Sequence, residues 1–216
     1  STFKKVLDLL EMKKFKNFSI FHLAAQTSAQ ISMEEPLKDI NTNLIGLLNL
    51  ISTFENSSLK PDLFMLFSSM AVYGNDVRIN NHSEFSEKSA TDPNSIYGYT
   101  KLASEKILEL SSFPYVPLRL FNIFGPGQDM NNNKQGMVSI YLADLLKTGS
   151  ISVKGGLHRT RDFVFIDDLI SIVMKIFDYK IHQKCKNSKP INISTGTSHS
   201  VEQLVNYLFA LYNKKL

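Results

Sequence analysis

Two hydrophobic rhythms alternate along the chain. Residues 2–14 place Phe3, Val6, Leu7, Leu10 and Met12 at helical spacing, which predicts an amphipathic helix. Ser19 to Leu23 is a short apolar run of strand length. Pro36 to Phe54 carries a long helical period. Leu63 to Ser68 is apolar on both faces, as a strand in the middle of a parallel sheet must be. Residues 74–94 are polar, lack a strong period and predict a long loop. Ile96 to Ser111 predicts a helix, Val116 to Phe121 a strand, and Met137 to Lys147 a helix. Phe163 to Ile166 is a short strand that runs into a helix ending near Tyr179. Ile191 to Ser194 predicts a strand, followed by a helix from Val201 with Ser200 and Gln203 at capping-box spacing.

Alternating strands and helices predict an α/β fold with right-handed crossovers and a parallel sheet. Such sheets bind ligands at the carboxyl ends of their strands. Three stretches far apart in sequence fall there: His22 to Thr27, Ser68 with Ser69, and Phe121 with Asn122.

Composition narrows the classes. The 216 residues suffice for one sizeable core or one and a half small ones, and 43% hydrophobic content is ordinary for a globular chain. The longest apolar run, around Leu63 to Phe67, falls far short of the ~20 residues that cross a bilayer, so no membrane partner is expected. Lys4, Lys5, Asp8 and Glu11 interrupt any apolar segment of the signal-peptide kind. The lone cysteine, Cys185, cannot form an internal disulfide, and a cytoplasmic location is the expectation. The net charge is +4, with lysines gathered at Lys4/Lys5, Lys13/Lys14/Lys16 and Lys214/Lys215. No concentrated basic face interleaves with aromatics, so nucleic acid is not an expected partner. The five histidines lack ligand spacing, and no metal site is expected.

The candidate chemistry centres on Tyr97 and Lys101 in the run YGYTK. On a helix, positions i and i+4 share a face, so phenol and ammonium can share a site. A tyrosine with a pKa near ~10 needs about 4 kcal/mol of preferential phenolate stabilisation to act as a base near pH 7. A nearby lysine cation can supply part of that. Taken alone, the spacing more often describes two residues that happen to share a surface helix. Ser69 ends a buried strand in LFSSMAVYG, where a hydroxyl can bond a substrate oxygen beside Tyr97 or simply cap the strand.

With these residues in place, the chain resembles the extended short-chain dehydrogenase/reductase family, and within it the NAD-dependent epimerase/dehydratase group typified by UDP-glucose 4-epimerase. The resemblance rests on HLAAQTSAQIS at 22–32, NTNLIG at 41–46, FSSMAVYG at 67–74, YGYTK at 97–101, LRLFNIFGPGQ at 118–128, RDFVFIDDL at 161–169 and INISTG at 191–196. It implies a Rossmann-like doubly wound parallel sheet with a small substrate-binding lobe. Residues 1–125 would belong to the NAD-binding domain. Residues 126–216 would mix the lobe with returning Rossmann elements at about 162–195.

By the same resemblance, Tyr97 is the general base, Lys101 its partner and a ligand of the nicotinamide ribose, and Ser69 the third catalytic hydroxyl. Leu23, Ala24, Ala25, Gln26 and Thr27 match the loop along the NAD ribose and pyrophosphate. Asn43, Ser68 and Phe121 fall beside the cofactor. Asn122 and Arg161 match contacts to the nucleotide-sugar diphosphate, for which an arginine fork is suited. Val138 and Ser139 match contacts to the nucleotide. The residues themselves also admit Asn43 as a buried helix amide, Phe121 as core, and Arg161 as an ion-pair partner of Asp162, Asp167 or Asp168.

The family's glycine-rich phosphate loop has no match, since the first glycine is Gly46. The resemblance therefore implies about three further βα units before residue 1 and more of the sugar-binding lobe after the last helix. Relatives that eliminate water carry an acidic pair after the catalytic Ser/Thr, where this chain has Met70 and Ala71. The expected activity is C4 epimerisation of a UDP-hexose. The alternatives are another reaction of the family, such as decarboxylation, and a non-catalytic nucleotide-sugar-binding module. Helices at 36–54 and 96–111 match those that pair across two-fold dimers in the family, so a homodimer is expected.

Overall fold

The computed structural model describes residues 2–74, 85–183 and 188–213. Cys185, Lys214, Lys215 and the 75–84 portion of the polar loop lie outside the described residues. The elements run α1 (Thr2–Met12), β1 (Ser19–His22), α2 (Ala29–Glu34), α3 (Pro36–Asp39), a π-helical turn (Ile40–Ile45), α4 (Gly46–Glu55), β2 (Leu63–Ser69), a 3-10 turn (Met70–Tyr73), α5 (Ile96–Leu108), β3 (Tyr115–Leu120), β4 (Asn122–Phe124), α6 (Met137–Thr148), β5 (Thr160–Phe165), α7 (Ile166–Gln183), β6 (Ile191–Ile193), β7 (Ser198–Ser200) and α8 (Val201–Asn213). Among the described residues no helix is long and apolar enough to cross a membrane.

The chain divides into two units, residues 1–120 with 174–192, and residues 121–173 with 193–216. The first is built on a parallel sheet in the order β1-β2-β3-β6. β2 sits between two neighbours, and its residues 63–66 are buried. That is why its sequence is apolar on both faces rather than alternating. Leu47, Ile51 and Phe54 of α4 meet Phe64, Leu66, Leu108, Phe113 and Tyr115 in one cluster, with Leu7 and Leu10 of α1 packed against it.

The single helix expected over 36–54 is three segments. Gly46 N–H donates to Asn41, five residues back, so the turn is one residue wide of α-helical. The widened turn carries Asn43, whose side chain is buried and fully engaged. π-turns of this kind concentrate at functional sites. The short α2 was not legible, because six residues carry too little period; Ser28 starts it by accepting from Ile31 N–H at 3.3 Å.

In the second unit β4 pairs parallel to β5, and β5 pairs antiparallel to β7. The polar tripeptide of β7 carries no strand signal of its own. α6 and α8 bury Tyr141, Leu145, Val201 and Leu208 between them. The capping box forms as its spacing predicts: Ser200 N–H donates to Gln203 Oε1 at 2.8 Å, and Gln203 N–H donates to Ser200 Oγ at 3.0 Å.

Candidate active site

Ser69 ends β2, and its Oγ accepts from Ala71 N–H at 3.2 Å, which starts the 3-10 turn. α5 is held against this turn from both sides of its first residues. Ser95 caps the helix by accepting from Gly98 N–H at 3.1 Å, and Tyr97 N–H donates to Ser32 Oγ of α2 at 3.0 Å. Gly98 allows the approach. A Cβ there would stand 2.6 Å from the Ala71 carbonyl oxygen and 2.9 Å from Pro93 Cβ.

The packing brings Ser69, Tyr97 and Lys101 together. Tyr97 and Lys101 are both buried. The Ser69 hydroxyl neighbours the Tyr97 phenol. Lys101 Nζ donates to the Phe67 carbonyl at 2.8 Å and lies 5.8 Å from the centre of the Tyr97 ring. Burial holds the phenol above its ordinary value of 10.0; the Ser69 hydroxyl opposes this and the charge of Asp39 adds to it. Burial lowers Lys101 to about 8, while the carboxylates of Asp39 and Glu105 pull it back up. The lysine was expected to help lower the phenol. Desolvation, with the charge of Asp39, outweighs what lowers the phenol here. His22, at the end of β1, is lowered to about 4 by burial first and by the charge of Lys101 second.

The loop after β1 exposes Leu23, Ala24 and Thr27, while Ala25 and Gln26 are half-buried. Asn43 staples it from behind. Its Oδ1 accepts from Gln26 N–H at 2.7 Å and its Nδ2 donates to the Gln26 carbonyl at 2.9 Å. Asn43 is therefore the buried helix amide that the sequence left open, and it acts on this side of the sheet through the loop. Ser68 is placed differently from its neighbour. Side chains alternate along a strand, so Ser68 turns inward where Ser69 turns out. Its Oγ donates to Glu105 Oε1 at 2.6 Å inside the core, rather than presenting a hydroxyl to a cofactor.

Glu105 also receives Arg119. The guanidinium donates through Nε at 3.0 and 3.2 Å and through Nη2 at 2.7 Å to the carboxylate, and through Nη1 to Tyr73 Oη at 2.9 Å. Tyr73 Oη in turn donates to Asn192 Oδ1 at 2.7 Å. Sequence reading missed this network. The signal was present in Arg119, a charge inside the apolar run YVPLRL, since a buried charge requires a partner.

The second unit holds the other candidate residues. Asn122 Nδ2 donates to the Asp162 carbonyl at 2.9 Å. Phe121 is half-buried, and its N–H donates to Ile193 at 3.1 Å. Val138 is half-buried on the first turn of α6. Beside it Ser139 is buried, and its Oγ donates to the Gly136 carbonyl at 2.9 Å. Arg161 is half-buried and donates to the Thr160 carbonyl at 2.7 Å. The ion pairs considered for Arg161 do not form among the described residues. Asp162 instead accepts from Thr195 N–H and Oγ and from Gly196 N–H, at 2.8–3.0 Å. Burial and the neighbouring charge of Arg159 lower the Arg161 guanidinium, with Tyr141 opposing. Two adjacent guanidiniums suit an anionic group. Among the described residues no His/Cys/Asp/Glu cluster can hold a metal ion.

Comparison with known proteins gives the same family from sequence and from fold. The model of the NAD dependent epimerase/dehydratase family matches residues 7–193. The UDP-glucose 4-epimerase of Mycoplasma genitalium is 35% identical over 162 residues, covering 71% of this chain and 46% of that protein. UDP-glucuronate 4-epimerase 2 of Arabidopsis thaliana is 34% identical over 160 residues, covering 70% of this chain and 35% of that protein. The structure of UDP-glucose 4-epimerase from Thermotoga maritima with UDP-glucose superposes with a TM-score of 0.81 at 26% identity, covering 98% of this chain and 65% of that one. The chain spans less than two thirds of the length of each.

Proposed function

Because the chain belongs to the NAD dependent epimerase/dehydratase family, we propose that it is an NAD-dependent nucleotide-sugar epimerase that inverts C4 of a UDP-hexose through a 4-keto sugar. The observation that carries the reading is the cluster of buried Tyr97 and Lys101 with half-buried Ser69 at the carboxyl end of β2 and the start of α5.

The donors in place fit a dinucleotide. Among the described residues Lys101 Nζ has one hydrogen-bond partner, the Phe67 carbonyl, which leaves two of its three N–H donors for ribose hydroxyls. The exposed loop Leu23, Ala24 and Thr27, stapled by Asn43, would hold the rest of the cofactor, and Phe121 would flank its nicotinamide. When bound, NAD would supply the hydride acceptor and a positively charged ring. The phenol needs such a cation, because burial, and then the charge of Asp39, raise it. Tyr97 takes the proton of the sugar 4-hydroxyl as the C4–H bond is broken, and Ser69 donates a hydrogen bond to the same oxygen. After the 4-keto sugar turns over, Tyr97 returns the proton to O4 as C4 is reduced on its other face. Arg161 pairs with the diphosphate, Asn122 contacts it, and Val138 and Ser139 contact the nucleotide. Met70 and Ala71 transfer no protons, which disfavours elimination of water.

The test is turnover of UDP-galactose to UDP-glucose with added NAD, for the wild type and Tyr97→Phe. Tyr97→Phe is expected to lose at least about 100-fold. Unchanged turnover in the variant refutes the mechanism. Release of carbon dioxide from UDP-glucuronate, with no epimer formed, replaces epimerisation by decarboxylation.

A further inference from the structure

Gln26, Asn43 and Thr100 come from three separate segments, and all donate to one carboxylate. Gln26 Nε2 reaches Asp39 Oδ1 at 2.5 Å, while Thr100 Oγ1 and Asn43 Nδ2 reach Oδ2 at 2.6 and 3.1 Å. Asp39 is wholly excluded from solvent. Among the described residues no lysine, arginine or histidine lies within ion-pair distance of it. Donors converge on both oxygens, as suits a carboxyl group whose two oxygens both accept. A buried anion without a cation is expensive unless hydrogen bonds replace its water, and three do so here.

Each donor leads to a part of the proposed site. Gln26 belongs to the exposed loop after β1, and Asn43 holds the same residue by its backbone. Thr100 stands between Tyr97 and Lys101 on α5, and its hydroxyl also lies 3.0 Å from the Tyr97 carbonyl. We propose that Asp39 is a positioning residue of the active site, fixing the 23–28 loop and the catalytic turn of α5 in one register and setting a buried carboxyl against Thr100, the residue before Lys101. Its functional meaning rests on the reading of Tyr97 and Lys101 as the reacting residues.

A scaffold role alone would leave the titration of Lys101 untouched, whereas loss of the Asp39 charge should lower it. The charged and titratable groups that face Lys101 are Asp39 from α3, Glu105 and Tyr97 from α5, and His22 from β1. Burial strips the ammonium of water. Asp39 and then Glu105 oppose that loss.

The experiment uses the 216-residue protein without any nucleotide sugar. Asp39→Asn keeps the shape and removes the charge. NMR titration of the Lys101 ammonium should show its midpoint falling about one pH unit below the wild-type value. Hydrogen exchange at amides 24–27 should be at least about tenfold faster. An unmoved Lys101 midpoint in folded Asp39→Asn overturns the inference and leaves the epimerase reading standing. Shifts as expected in a protein that interconverts no nucleotide sugar uphold the inference and remove that reading. If Asp39→Asn does not fold, Gln26→Leu carries the exchange measurement, where unchanged protection of residues 24–27 overturns the proposal and a tenfold loss supports it.

Discussion

Replacing Arg119 by Met should cost the first unit about 3–5 kcal/mol, because it strands Glu105 as a buried charge. The arginine and glutamate side chains are only 6% and 1% exposed, so water cannot replace the lost partner. Of the hydrogen bonds that reach the carboxylate, only the one from Ser68 at 2.6 Å survives. Tyr73 loses the donor at its hydroxyl and the cation 4.9 Å from its ring centre. An exposed pair such as Lys106–Glu109 would be worth at most about 1 kcal/mol, so the two cases are well separated. With a urea dependence of about 2 kcal/mol per molar, the unfolding midpoint should fall by roughly 2 M. Equilibrium urea unfolding at pH 7, followed by far-ultraviolet circular dichroism, measures this directly. Arg119→Met combined with Glu105→Gln removes the stranded charge and should be at least about 1 kcal/mol more stable than the two single losses added together. A single-variant cost below about 1 kcal/mol, or strict additivity, would refute the argument that the pair is desolvated.

Three further outcomes are expected. The unfolded chain protonates His22 near 6.5 and the folded chain resists to about 4, so stability rises with pH across that window and is lost on acidification, by about 3 kcal/mol. His22→Phe should flatten the curve of urea midpoint against pH there, and an unchanged slope counts against it. Gly98→Ala puts a methyl group 2.6 Å from the Ala71 carbonyl oxygen and must push α5 from the Ser69 turn. Turnover should fall about 10- to 100-fold with secondary structure intact, and an undiminished kcat removes the role given to Gly98. Leu37, Ile45, Leu48 and Tyr99 are exposed apolar residues on the helical run 36–55 and on α5. Burying them across a two-fold axis predicts a homodimer by sedimentation; Leu37→Glu with Ile45→Glu should give monomer, and a monomeric wild type sinks the proposal.

The sequence by itself determined the α/β order, because burying β2 on both faces demands the apolar run 63–66 and helices demand their period. It also named the residues proposed to carry the chemistry. YGYTK sets Tyr97 and Lys101 one turn apart on any helix, and Gly98 between them is the one residue the neighbouring turn can admit. What it left open depends on contacts between segments far apart in the chain. Asp39 became a hub only when the 23–28 loop, the widened turn around Asn43 and α5 met in space. Ser68 and Ser69 are alike in sequence, but strand alternation and the position of Glu105 gave one to the core and the other to Tyr97. The protonation of the two central groups was decided by tertiary structure alone. Spacing suggested a lysine that lowers the phenol, but burial raises the phenol and lowers the lysine, because the cost of removing a charge from water depends on everything packed around it.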